Sequence, residues 1–302
     1  MTLIQTIIYP FIFTIVSASD CTGQINNSRI YLNQKPPGLL PEIFAPDIIS
    51  LSNESEFGSV FSKDGKEFFY GVDIEGRTEI RYTELQNSRW TEPKAIISHE
   101  VFGYNDPFLS PDESELYYIS DQPADGMEEK KDHDIWYSKR TPEGWSDPIN
   151  AGPNINSDRN EYYISFTNTG DLYFASNKNA AANRQTNFDI YVSKKFDGKF
   201  QSAVKLSNAV NTTSYEADVF IAPDESYIIF AASRTEGLGH GDLYISFKLE
   251  DGSWSKSKNM GETINSTNHE LCPFVTADRK YFFYTSNKDI YWVDAAVIQK
   301  MR

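Results

Sequence analysis

Five acidic residues recur at matched places in this 302-residue chain: Glu56, Asp106, Glu161, Glu216 and Glu270, spaced about 50 to 55 residues apart. Each stands just ahead of, or just inside, a short β-branched and aromatic run, and three have a polar neighbour, Asn105, Asn160 or His269. Carboxylates gathered around one opening would raise one another's pKa or demand a cation, which points to Ca²⁺ or a cationic ligand. A pair of them could also supply the acid and base of glycoside cleavage. Repetition in every unit favours a plainer role, in which each acid accepts hydrogen bonds at a position the repeat needs for its geometry.

Features that differ between units are better pointers to a ligand. Long insertions at residues 121–133, starting with Asp121, and at residues 177–187 exceed ordinary hairpin loops. Arg234 and the loop Gly237, Leu238, Gly239, His240, Gly241 bring a cation, a candidate general base and a permissive backbone together. Their plain readings are a salt bridge from Arg234 to one of the acids and a surface histidine. A Gly-x-Ser-x-Gly elbow, a His-Glu-x-x-His helix, Asp-x-Asp calcium loops and phosphate-binding glycine loops are all absent.

The elements that must carry these residues are strands. Residues 215–258 hold three β-branched and aromatic runs, separated by Ala222-Pro223-Asp224 and by a glycine-rich loop, and end in Gly252-Ser253-Trp254. The same order recurs from Glu56, Asp106, Glu161 and Glu270, the last without a Gly-x-Trp segment. A four-strand unit at this period predicts an all-β, five-bladed β-propeller, with six blades as the alternative. Residues 41–50 resemble residues 90–98 and have no blade of their own, so they are predicted to supply the outer strand of the last blade. Trp90, Trp145, Phe200 and Trp254 occupy one regular place and read as packing between blades before sugar stacking.

The Ser110-Pro111-Asp112 and Ala222-Pro223-Asp224 turns, the second strands ending at Ser120, Ser176, Ser233 and Ser286, and the Asp-Ile-Tyr-type third strands resemble TolB-type, WD-repeat-like propellers over residues 37–298. That family serves as binding scaffold, sensor domain and peptidase appendage, so the resemblance implies a fold and a range of roles. The turns depart from the sialidase Asp-box, because Gly65 directly follows Asp64.

Composition fits one closed array over residues 37–302, preceded by a lead-in at residues 20–36: 39% of residues are apolar, with 18 Tyr and 20 Phe. A formal charge of −15 without a basic run excludes nucleic acid as an expected partner. Residues 1–19 read as a secretory signal, apolar and ending in small residues, though lacking a basic start, and no later run has the length of a membrane span. The two cysteines, Cys21 and Cys272, form no metal-binding spacing; Cys272 reads as a buried thiol, with a bridge between the two as the alternative. Asn-x-Ser/Thr triplets start at Asn26, Asn53, Asn211 and Asn265. The expectation is a secreted or periplasmic monomeric scaffold, needing no cofactor, that binds a protein, peptide or glycan on the loop-bearing face. A carbohydrate-active hydrolase or lyase using funnel carboxylates is the alternative.

Overall fold

The structure is a computed structural model that describes residues 30–124, 126, 132–181 and 186–302. The signal segment, Cys21 and Asn26 lie outside the described residues.

Five small sheets stand in a ring, a five-bladed β-propeller. The inner strands are Ser55–Phe61, Tyr104–Leu109, Glu161–Phe166, Tyr215–Ile221 and Leu271–Val275, which number blades I to V. Each is followed by an antiparallel second strand: Glu67–Ile74, Glu115–Ser120, Leu172–Ser176, Tyr227–Ser233 and Tyr281–Ser286. These second strands are continuous apolar runs because each is covered on both faces by neighbouring blades, so no polar face alternates with the apolar one. The first turns are built alike. Asp64, Asp112, Asp224 and Asp278 each accept the amide two residues on, and the residue between them is left-handed: Gly65, Glu113, Glu225 and Arg279.

The third strands are Arg77–Gln86, Asp134–Thr141, Asp189–Ser193, Asp242–Phe247 and Asp289–Asp294. Residues 90–98 do contain the outer strand of blade I, but the expected place at the tryptophans needs correction. The segments at Trp90 and Trp145 pair with the far ends of the third strands, as short hairpins. The outer strands are the segments that follow: Lys94–Ile97, Ile149–Asn150, Val204–Lys205 and Lys258–Asn259. A proline precedes the first two of them, which suits an edge that has no further partner. Trp145 does pack between blades, meeting Phe69 of blade I at 6.0 Å under Arg140 at 4.5 Å from its ring, whereas Trp90 lies 6.5 Å from Phe61 of its own blade.

Blade V takes its outer strand from the N-terminal side, Glu42–Ile43, antiparallel to Asp289–Asp294 in the register Glu42 to Trp292 and Ile43 to Tyr291. The next residue anchors the seam. Phe44 is fully buried, its amide donates to Ile290 O at 2.7 Å, and its ring lies 5.1 Å from both Phe283 and Trp292 and 5.4 Å from Phe68 of blade I. Ties on the face of the first turns brace adjacent blades, including Arg140 to Glu67 at 2.8 Å and Arg279 to Asp224 at 2.8 Å.

Closure through Phe44 has a measurable consequence. Phe44→Ala is expected to lower stability by about 3 to 5 kcal/mol in denaturant unfolding, and a chain beginning at Asn53 is expected to aggregate or melt far lower. An unchanged melting temperature in the shortened chain would contradict the seam.

Candidate functional site: the channel mouth

The five acids do not form one ring. Glu161 lies opposite Ser176 and Glu216 opposite Ala232, and Glu56 takes the same register opposite Val72. In blade II that register belongs to Tyr104, opposite Ser120, and Asp106 lies two residues further along. Glu56, Glu161, Glu216 and Glu270 are fully buried. Glu161 accepts the Ser157 amide at 3.0 Å, the Ser157 hydroxyl at 2.7 Å and the Ser176 hydroxyl at 2.6 Å. Glu270 repeats this with Ser266 and Ser286, and Glu216 with Thr212. In blade IV, Ala232 stands where Ser176 and Ser286 stand, and Arg234 binds Glu216 in place of a serine, at 3.1 Å. Ser233, read from sequence as the matching serine, pairs with Tyr215 one position on.

A second residue of this clamp escaped the sequence reading. Asn156, Asn211 and Asn265 bracket the third strand of the preceding blade, each accepting the backbone amide and donating to the carbonyl of one residue: Ile135, Ile190 or Leu243, at 2.7 to 3.0 Å. The signal was there as Asn-Ser/Thr-x-x-x-Glu, three times over. Read as glycosylation triplets, Asn211 and Asn265 are instead buried side chains with occupied amides, whereas Asn53 is exposed.

The blade-specific candidates fall in different places. Arg234 is a buried strut: its side chain is 7% exposed, binds Glu216, Ser257 and Val210 O, and lies 4.4 Å over Tyr244. Asp121 is buried and accepts the Gly103 amide at 2.8 Å. His240 is exposed, with its amide held by Asn268 O at 2.9 Å. Its loop needs glycine for space, since a Cβ at Gly239 would come within 2.5 Å of Ser266 O. The insertion residues 125, 127–131 and 182–185 lie outside the described residues.

The residues that do reach the channel come from a bulge in every inner strand. Gly58, Asp106, Tyr163, Asp218 and Cys272 all have φ between 48° and 56°, each where the register with the second strand shifts. Only the first is glycine, so four blades hold a side chain in a left-handed backbone that costs of order 1 to 3 kcal/mol each. These side chains meet across the channel. Cys272 of blade V donates to Asp106 of blade II at 3.5 Å, and the Tyr163 hydroxyl of blade III donates to Pro273 O at 2.9 Å. Beyond them Phe108, Phe166, Phe220 and Phe274 close the channel toward the first-turn face, with Phe108 and Phe274 at 6.0 Å from non-adjacent blades.

Toward the loop-bearing face the wall is aromatic. Ring centroids run from His133 to Tyr162 at 5.1 Å, to Phe188 at 5.1 Å, to Tyr215 at 5.7 Å and to His269 at 6.5 Å. This arc spans blades II to V. Asp106 and Asp218 lie beneath it, and both bear on the phenols of Tyr162 and Tyr215, raising their pKa further after burial has already done so. Burial, then the charge of Asp218, pushes the Asp106 carboxyl up to about 7. Asp218 is also raised by burial, against the lowering effects of His269 and of the Cys272 amide. Among the described residues no group of three or more His, Cys, Asp or Glu side chains is placed to hold a metal ion, and no helix is long and apolar enough to cross a membrane.

No protein-family model and no curated protein matches the chain. Solved structures do. The TolB protein of Acinetobacter baumannii superposes with a TM-score of 0.52 at 11% identity, over 81% of this chain and 55% of that one. The fold is that of a TolB-like β-propeller. A Dyadobacter fermentans protein of unknown function gives 0.52 at 14% identity, over 86% of this chain and 83% of that one. A thermostable family-43 glycoside hydrolase gives 0.52 at 13%, over 80% and 89%. The chain thus spans little more than half of that TolB chain, and at these identities the likeness concerns the fold alone.

The buried acids set a pH dependence. Glu56, Asp106 and Glu161 are each raised to about 7, chiefly by burial, and Glu216 and Asp218 are raised as well. An acid whose folded pKa is raised contributes stability below its unfolded value, and loses it as pH rises through the folded value. Stability should therefore fall between about pH 4 and 7, a trend opposite to that of the surface Asp112, lowered to about 2 by Ser110 and Ser114, which acts only in stronger acid. Asp106→Asn is expected to raise stability at pH 8 by up to about 4 kcal/mol and to flatten the profile. Thermal melts of both proteins across pH 4 to 8 check this, and a wild-type optimum at pH 8 would contradict it.

Proposed function

We propose that the protein is a secreted or periplasmic binding scaffold whose partner, a protein, peptide or glycan, is seated on the loop-bearing face at the mouth of the central channel. The observation that carries this reading is the asymmetry of the channel. One end narrows to four phenylalanines that line a small apolar pocket, whereas the other presents an aromatic arc from four blades above two carboxylates. A TolB-like propeller supports an interaction role at the level of class, and the apolar small-residue start of the chain supports export.

The hydrolase reading loses the four glutamates among the five acids on which it stood. Glu161 and Glu216 are fully buried and engaged by Ser157, Ser176, Thr212 and Arg234, leaving no approach for a sugar ring. Likeness to a glycoside hydrolase fold does not restore it, because function lives in the site and not in the fold.

Glu216→Gln separates the two readings. It leaves the Arg234 cation buried beside a neutral side chain and is expected to cost about 3 to 5 kcal/mol of stability, without altering ligand retention by the protein that remains folded. Glycan and peptide arrays probed with wild type, Glu216→Gln and Tyr215→Ala provide the readout: retention should be lost only in Tyr215→Ala. Turnover of a polysaccharide that vanishes in Glu216→Gln with the melting temperature intact would overturn the scaffold reading.

A further inference from the structure

The fully buried glutamates of the inner strands carry a cation or protein donors: Glu216 has Arg234, Glu161 and Glu270 each accept three hydrogen bonds from serines, and Glu56 accepts the Leu51 amide. Asp106 and Asp218 differ in bearing on each other. Asp106 is 9% exposed, its side-chain partner is the Cys272 thiol, and its second carboxylate oxygen meets no hydrogen-bond donor among the described residues. The groups that bear on Asp106 and Asp218 are each other, Cys272 and His269; no Lys or Arg is among them. Tyr162, Tyr163 and Tyr215 face the same pair, and Asp121 adds negative charge near Tyr162. Two carboxylates at the bottom of a low-dielectric mouth, with no Lys or Arg beside them and with His269 bearing on Asp218 alone, are costly unless a cation comes to them.

The walls above are of the matching kind. Rings present a negative face to a cation, and several rings around one point form the usual container for an ammonium group. The Tyr215 phenol makes no hydrogen bond among the described residues and lies next to Phe188 and His269. Gly58 leaves the blade I side of Asp106 without a side chain, where a Cβ would stand 2.7 Å from Asp106 Oδ1. The formal charge of −15 draws cations toward the molecule from a distance.

We propose that the channel mouth is an aromatic cation site, which takes an alkylammonium or guanidinium group on the rings of Tyr162, Phe188 and Tyr215 and against the carboxylates of Asp106 and Asp218. This rests on the reading that the loop-bearing face binds ligands, and names the chemistry of what enters. The natural source is a Lys or Arg side chain of a peptide, or a free amine of the same form. Both carboxylates are ionised when the cation is bound, so binding strengthens as pH rises from 5 to 8.

Calorimetric titration of the full chain with Nα-acetyl-lysine methylamide, Nα-acetyl-arginine methylamide, tetramethylammonium and Nα-acetyl-glutamate tests this. Asp218→Asn and Tyr215→Leu supply the variants at the mouth, and Glu113→Gln supplies a control on the opposite face. Expected is binding of the cationic probes alone, weakened at least tenfold by Asp218→Asn and Tyr215→Leu, unchanged by Glu113→Gln, and tighter at pH 8 than at pH 5. Tighter binding of a Lys- or Arg-containing tripeptide than of tetramethylammonium assigns the peptide source, and the reverse assigns the free amine. Equal affinity of wild type and a folded Asp218→Asn for these probes would overturn the cation site, as would no binding at millimolar concentration. A glycan held equally by both proteins would overturn it too, while leaving the binding face itself in place.

Discussion

A buried carboxylate that accepts the amide and hydroxyl of the residue four places before it fixes where the inner strand begins in blades III, IV and V. Everything nearer the axis follows from that point. The asparagine beside the hydroxyl residue locks the same connection to the previous blade, so strand start and blade spacing are set together. Two residues beyond the glutamate position the chain bulges, and the left-handed residue there is delivered to the channel. The clamp needs charge and burial at once, which is why burial raises Glu161 to about 7 although three donors favour its ionised form.

This division of labour separates residues that repeat from residues that vary. The glutamate layer recurs in four blades and its clamp in three, with Ser176 and Ser286 exchanged for Arg234 in blade IV, while Glu56 in blade I accepts, among the described residues, the Leu51 amide alone. The bulge layer is different in every blade but two: Gly58, Asp106, Tyr163, Asp218 and Cys272. A ligand has no five-fold symmetry, so a site that recognises one draws on the varied layer. The repeated layer keeps that site in place, much as a rigid scaffold supports variable loops.

Much of the architecture was legible because second strands buried on both faces are continuous aromatic runs, and because the spare segment at residues 41–50 had no other edge to cover. In blade I residues 90–98 do contain the outer strand, Lys94–Ile97, but in blade II it was misplaced onto Trp145 because tryptophan dominates the pattern, whereas the pairing segment is two residues long and carries little signal. The site was less legible for a geometric reason. Asp106 keeps the period of the glutamates better than Tyr104 does, and only the register distinguishes a clamp position from a bulge position two residues on. A bulge leaves no mark in hydrophobic periodicity, so Asp218 and Cys272 passed as ordinary strand residues. Arg234 was readable as a partner of an acid, because a lone arginine beside a repeated glutamate has few other stable places.

The central claim is that the channel mouth holds two facing carboxylates with no Lys or Arg beside them, while Glu161, Glu216 and Glu270 of the repeated layer are already engaged. The most direct measurement is a titration of the Asp106 side-chain carboxyl by carbon-13 NMR in the ligand-free protein, assigned with Asp106→Asn. The account expects a midpoint at about 7, moving down when a cationic probe is added. A midpoint in the ordinary aspartate range, near about 4 and indifferent to the probe, would contradict it.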